Sequence, residues 1–247
     1  MPQLSDKKPD YGLDAPGLQR GALYGGFAGV LAGRWLIYCG TARGGAWAII
    51  VGNMLFWPGL SFFITGCVMY WGSKAGKLSL RGKILDSISW RGDEQVLDVG
   101  CGHGLMLIGT AKRLTSGRGI GVDIWSQVDQ ADNNAEATME NARREGVAER
   151  VELRNADARE LPFPDNSFDV IVSSFAIHNI SDPAGREKAI REIARVLKPG
   201  GQLALADIHH TAQYERILRS LGWKQMRRWF PNFLFVIPAR VLRAAKP

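Results

Sequence analysis

The segment Val96-Leu97-Asp98-Val99-Gly100-Cys101-Gly102-His103-Gly104 sets a short apolar run against a cluster of glycines. It reads as a strand entering a tight turn that opens a helix. Glycines let a backbone turn sharply and come close to a ligand, so Gly100, Gly102 and Gly104 are candidate binding residues. A dinucleotide fingerprint would need glycine at position 105, which is Leu105, and no Gly-Lys-Ser/Thr follows to make a phosphate loop. Proton-handling side chains gather further on. His178 and Asn179 follow one apolar run, and Asp207, His209 and His210 follow another. Three histidines and a carboxylate are also metal-ligand types, but adjacent histidines often point apart and the spacing predicts no metal. Cys39, Cys67 and Cys101 are far apart with no Cys-x-x-Cys, which argues against a disulfide framework or a zinc site.

Those residues need elements to hold them. From about residue 78 short apolar runs alternate with polar, helix-like stretches. Strands are predicted over 95–99, 119–123, 150–154, 168–173 and 202–206, and helices over 105–114, 135–145, 185–197 and 214–221. Lys198-Pro-Gly-Gly201 reads as a turn, and 224–229 with 233–238 as a closing hairpin. Such alternation predicts an α/β domain with a largely parallel sheet. No internal repeat is visible.

On these motifs, residues 78–247 resemble the class I S-adenosylmethionine-dependent methyltransferases. The resemblance implies a Rossmann-like, mostly parallel seven-stranded sheet, with S-adenosylmethionine as cofactor and S-adenosylhomocysteine as product. It also implies that Asp98–Gly104 wraps the cofactor's methionine part. Asp123, in Gly-Val-Asp, would bind the ribose hydroxyls, which suits a carboxylate able to accept two hydrogen bonds. Asp157, in Asn155-Ala-Asp-Ala158, would meet the adenine amino group, and Ile124, Ala158 and Ser173 join the cofactor-binding set. Leu161–Val170 and Leu197–Gly201 match the family's approaches to its fourth and fifth strands. The chain departs from the pattern by inserting residues 124–134 before the next helix; Trp125 there can lie against the adenine, cover the substrate or anchor the loop, and Asp129 or Gln130 can reach polar groups.

Ser173-Ser-Phe-Ala-Ile-His-Asn-Ile180 resembles the corresponding part of quinone-biosynthesis methyltransferases, with His178 where they commonly carry arginine. Methyl transfer rests mainly on positioning, and a base is needed only where the acceptor must lose a proton. His178, Asn179 and Asp207 are therefore the catalytic or orienting candidates. The expected acceptor is a small, apolar or lipid-like molecule. A nucleic-acid or protein acceptor, or a scaffold that keeps the fold without activity, is the alternative; no RNA-binding module and no Asn-Pro-Pro-Tyr-type tetrapeptide supports nucleic acid.

The amino-terminal third has a different composition. The whole 247-residue chain is 46% hydrophobic and 22% charged, with a net charge of +7, yet residues 44–73 contain no charged side chain. As a helix this stretch would be about 45 Å long, enough to cross a bilayer. Gly21, Gly25, Gly29 and Gly33 recur every four residues in the preceding apolar segment, and Gly45, Gly52, Gly59 and Gly66 recur every seven. Two glycine faces predict a packed transmembrane helical hairpin, with a homo-oligomer through those faces as a further expectation. Lys7, Lys8, Arg20, Lys74, Lys77, Arg81 and Lys83 flank it, which predicts an anionic lipid surface as partner and both termini on the cytoplasmic side of the cell membrane. The expected division is 1–20, an amino-terminal segment; 21–73, the hairpin; and 74–247, the methyltransferase domain.

Overall fold

The computed structural model describes residues 8–13, 15–125, 134–229 and 238–247. They fall into two compact units, residues 13–76 and the remainder, so the divisions come after Gly12 and Gly76 rather than after residues 20 and 73.

The first unit is a pair of helices. Helix α1 spans Pro16–Arg43 and α2 spans Ala46–Trp71, joined by a turn in which Gly44 takes φ 70°. Both helices bury glycines every seven residues, Gly26, Gly33 and Gly40 on α1 and Gly52, Gly59 and Gly66 on α2. A Cβ on Gly59 would stand 2.8 Å from Val30 N, and one on Gly33 2.6 Å from Gly52 O, so the backbones themselves are in contact. The expected four-residue face of α1 is corrected: Gly21 and Gly25 meet nothing within 4 Å, and Gly29 and Gly33 share the inner face with Gly26 and Gly40. The inner glycines are used within the chain, which closes them to the second copy expected there. Large side chains such as Trp35, Trp47, Met54, Trp57 and Phe62 point outward.

The two-span arrangement is corrected as well. Among the described residues, only the continuous helical run Ala46–Asp86 is long and apolar enough to cross a membrane. Helix α1 is interrupted by Arg20, Arg34 and Arg43. One crossing cannot bring the chain back to the side it left, so a hairpin spanning twice with both termini cytoplasmic does not stand.

The second unit takes in residues 8–12 and then, from Lys77 onward, helix α3, Lys77–Asp86, and strand β1, Gln95–Val99. Then come α4 (Leu105–Ala111), β2 (Arg118–Asp123), α5 (Ala135–Arg144) and β3 (Val151–Asn155). They are followed by β4 (Phe168–Ser174), α6 (Pro183–Val196), β5 (Leu197–Asp207), α7 (Thr211–Ser220), β6 (Met226–Arg228) and β7 (Arg240–Ala245). The sheet order is β3-β2-β1-β4-β5-β7-β6. The first five strands run parallel and β7 runs antiparallel to both its neighbours. One face buries Ile171, Leu203, Ile190, Ile193, Tyr214 and Trp223; the other buries Leu107, Ile108, Ala142 and Val147.

Two boundaries differ from the sequence reading. Strand β5 starts at Leu197, through the expected turn, because Gly200 N and Gly201 O pair with the backbone of Lys246. The second tail strand is Arg240–Ala245, in register with Gln202–Asp207. Residues 233–237 of the expected strand lie outside the described residues, and Pro238 has no N–H to give a ladder.

The order places a topological switch between β1 and β4, since β2 and β3 continue one way and β4 and β5 the other. Ligands of open α/β sheets bind at the carboxyl ends of strands at such a point. The loop after β1 and the loop after β4 are therefore the two sides of the site.

Candidate active site

The loop after β1 is a glycine cradle. Gly100, Gly102 and Gly104 have φ of 71°, 47° and 84°, a region that side chains with a Cβ rarely adopt. At Gly100 a Cβ would also stand 2.1 Å from that of Ala176, in the loop after β4. Gly100 N and Cys101 N both donate to Val122 O, and Gly104 N closes the turn on Cys101 O. Asp98, 1% exposed, accepts from Leu107 N at 2.8 Å through Oδ2, holding the start of α4 to the end of β1. Its Oδ1 is buried without a protein partner. Burial pushes this carboxyl up to about 8, opposed by the Leu107 N–H and reinforced by the charge of Asp123. Cys101 contributes backbone only: its thiol is buried, pushed well above the usual range, with Sγ over Gly121.

At the end of β2, Asp123 braces the cradle. Its Oδ2 accepts from Gly102 N at 2.8 Å and its Oδ1 from Trp125 N at 2.8 Å. Each oxygen keeps a further lone pair. Ile124 is 61% exposed beside it, while Trp125 packs on the Cys101–Leu107 core. Asp129 and Gln130 lie outside the described residues. After β3, Asp157 is gripped by Arg159, whose Nε and Nη2 lie 3.0 and 2.6 Å from Oδ2; this pair holds the carboxyl below its ordinary range. Ala158 packs against the core, and Ala156 N donates to Asp123 O.

Across the switch, Ser173 is a strut: 2% exposed, it donates from Oγ to Val99 O at 2.7 Å and ties β4 to β1. Phe175 then takes φ 55° and leads into a single 3₁₀ turn, Ile177–Asn179. There His178 N donates to Asp207 Oδ2 at 3.1 Å, and His178 Nδ1 lies against Asp207 Oδ1. Asp207, at the end of β5, is 2% exposed and also accepts from Tyr214 OH at 3.0 Å and from Ile208 N at 3.1 Å. Asn179 projects outward. The His209 ring is 6.4 Å from that of His178, and His210 caps α7 with φ 62°. Among the described residues no group of three histidine, cysteine or acidic side chains is arranged to hold a metal.

Three supporting residues escaped the sequence reading. Tyr214 is fully buried under Asp207; Arg186 clamps the loop after the 3₁₀ turn through Ile180 O and Ser181 O; Thr138 Oγ1 holds Gly102 O. Tyr214 sits seven residues after Asp207 on the inner side of an amphipathic helix, which is a weak signal. Thr138 and Arg186 have no local signature, since their partners are carbonyls brought close by the fold.

Residues 97–205 match a family model described as "Methyltransferase domain". A demethylmenaquinone methyltransferase of Lactobacillus johnsonii is 31% identical over 163 residues, 65% of this chain and 62% of that protein. A ubiquinone/menaquinone biosynthesis C-methyltransferase, UbiE, of Cronobacter sakazakii is 39% identical over 127 residues, 50% of this chain and 46% of that protein. This chain thus spans less than two thirds of the length of these curated relatives. Among solved structures, a SAM-dependent methyltransferase from Aquifex aeolicus superposes with a TM-score of 0.56 at 22% identity, covering 70% of this chain and 94% of that one.

The second unit carries a methyltransferase domain over residues 97–205, in the Rossmann-like fold of the class I S-adenosylmethionine-dependent enzymes. Its cofactor is S-adenosylmethionine and its product S-adenosylhomocysteine, and the residues present fit that group. A loop of three positive-φ glycines presents bare backbone, the Asp123 carboxylate is bonded to it at Gly102 N, and an Asp98 oxygen at the end of the strand leading into the loop is buried and unpartnered. The relatives are named for small-molecule methylation, and with one helix among the described residues long and apolar enough to cross a membrane they overturn the cell-membrane location expected from the sequence.

Proposed function

We propose that this chain is an enzyme that transfers a methyl group to a small, apolar acceptor bearing an ionisable proton, with His178 as its base. The observation that carries this reading is the His178–Asp207 pair, standing across the β1–β4 switch from the glycine cradle.

Bound in the cradle, S-adenosylmethionine supplies a methyl group on a sulfonium carbon, open to in-line attack. The protein's part is to place the acceptor and manage one proton. Asp207, held by Tyr214 OH and the N–H groups of His178 and Ile208, stands against the imidazole at Nδ1. With its one ring proton carried on Nδ1, against Asp207 Oδ1, the neutral imidazole keeps a lone pair on Nε2 that can take the acceptor's proton; the bond that gives way to the acceptor is the sulfonium's own bond to the methyl carbon. Asp123 holds hydroxyls through its remaining lone pairs, and the glycine amides approach the cofactor without steric cost. Asn179, at the exposed end of the same turn, orients the acceptor.

An apolar acceptor suits the outward-facing Ile124 at the mouth. The quinone-precursor substrates in the relatives' names are of that kind. Nucleic acid suits the site less well, since the side chains at the mouth are Ile124, Phe175 and histidines rather than a basic track.

The test uses purified protein, methyl-labelled cofactor and a panel of small aromatic hydroquinones and phenols. Wild type labels at least one acceptor. His178→Ala lowers kcat by about 10²-fold or more while cofactor affinity holds within about twofold, and Asp123→Ala weakens cofactor binding at least about tenfold. A normal rate in His178→Ala returns that residue to a structural role.

A further inference from the structure

The cofactor loop is held from behind as well as from the sheet. Asn141, on α5 and only 3% exposed, donates from Nδ2 to His103 O at 3.1 Å and to Asp10 O at 2.8 Å; its Oδ1 accepts from Asp10 N at 3.0 Å. One side chain therefore joins the cradle to a segment more than ninety residues earlier in the chain. One turn before it, Thr138 Oγ1 donates to Gly102 O at 2.5 Å. Because the C=O and N–H of a trans peptide point opposite ways, fixing the carbonyls of Gly102 and His103 also fixes the direction of the following amides.

The segment reached in this way is firmly seated. Tyr11 is 7% exposed, donates to Glu145 Oε1 at 3.0 Å, and lies under the Arg81 guanidinium at 5.6 Å. Gly12 has φ 74°, and a Cβ there would stand 3.3 Å from the His103 ring. Lys77, only 4% exposed on α3, donates from Nζ to Tyr11 O and Gly12 O, both at 2.7 Å. A buried ammonium among carbonyls has a strong reason to stay where it is, since leaving them unmet is costly. Asp10–Gly12 is thus a strap pinned by α3 and α5 against the back of the cradle.

We propose that Asn141 is a positioning residue for the cofactor: it fastens the strap Asp10–Gly12 to His103, and the strap is part of the cofactor-binding site. The proposal rests on the methyltransferase reading above. It assigns Asp10–Gly12, which matches no cofactor motif, a share of cofactor affinity that is exerted through the cradle. It also separates two jobs on α5, with Thr138 shaping the cradle directly and Asn141 acting through the strap.

The test is a double-mutant cycle on the full-length protein, Asn141→Ala with Lys77→Met, read by calorimetric binding of S-adenosylhomocysteine. Each single variant is expected to raise Kd by about tenfold, equivalent to about 1.4 kcal/mol. The double variant is expected to be little worse than either single, because both release the same strap. In turnover the loss falls on KM for the cofactor rather than on kcat. Unchanged Kd in Asn141→Ala, or fully additive losses, overturns the proposal. Should wild type bind no S-adenosylhomocysteine, the methyltransferase reading fails by itself. Hydrogen exchange at the amides of residues 100–104 then decides: lost protection in both variants upholds the strap, and retained protection overturns it.

Discussion

Asp98 divides its carboxylate between a structural bond and a buried oxygen with no protein partner. Its Oδ2 is committed to the Leu107 amide, while Oδ1 is buried and unpartnered, so the carboxyl is pushed up to about 8. The folded chain then binds this proton more tightly than the unfolded chain does. Between about pH 4 and about pH 8 the native state holds the extra proton, and its stability falls as pH rises through that window. Asp98→Asn keeps the volume and removes the titration. Thermal unfolding between pH 5 and pH 8 should show a decline in wild type that is visibly flatter in the variant; equal slopes would remove Asp98 from this account. The residue types of the site, from Asp98 and Asp123 to His178 and Asp207, were legible in sequence because each ends or follows an apolar strand. The partners were not: Tyr214 and Arg186 earn their places only once α6 and α7 pack beside β5.

At the scale of elements, the glycine spacing was readable but its phase on α1 was not. A four-residue repeat starting at Gly21 and a seven-residue repeat starting at Gly26 overlap at Gly33, and only the partner helix selects between them. The selection makes a sharp prediction. Gly25→Ala adds a methyl in open space and gains helix propensity, up to about 1 kcal/mol. Gly59→Ala puts a Cβ 2.8 Å from Val30 N and should cost about 1–3 kcal/mol as the two backbones separate. Thermal melts of the two variants, followed by far-ultraviolet circular dichroism under one condition, should move in opposite directions. Two melts that coincide with wild type would show that the glycine face carries no packing energy. A similar choice by the partner governs β5, whose first five residues have turn chemistry yet run as strand because Lys246 pairs with them.

For the whole molecule, the consequential finding is that the methyltransferase unit is discontinuous in sequence. Residues up to Gly12 belong with those from Lys77 onward, and the helical pair comes between. Gly12 O and Lys77 Nζ are 2.7 Å apart, so a linker of a few residues can join the two ends. Replacing residues 13–76 with a short glycine–serine linker should leave cofactor affinity within about twofold of wild type, whereas deleting residues 1–76 should weaken it by about tenfold through loss of the strap. Calorimetry on the two proteins separates these outcomes, and equal affinities would show the strap to be dispensable.

Sequence alone determined the local matters: a strand feeding a glycine turn, an α/β alternation, a charge-free stretch bounded by basic residues, and the acids and histidine near the ends of β1, β2, β4 and β5. These follow from short-range rules of backbone freedom, periodicity and side-chain type. Tertiary structure decided what required two distant segments to meet. It placed Asp207 against His178, Asn141 between Asp10 and His103, the heptad glycines of α1 against those of α2, and the last strand seven residues beyond its expected start. Each of these depends on which backbone carbonyls and amides the packed elements bring within hydrogen-bonding distance, a quantity that no window of the sequence contains.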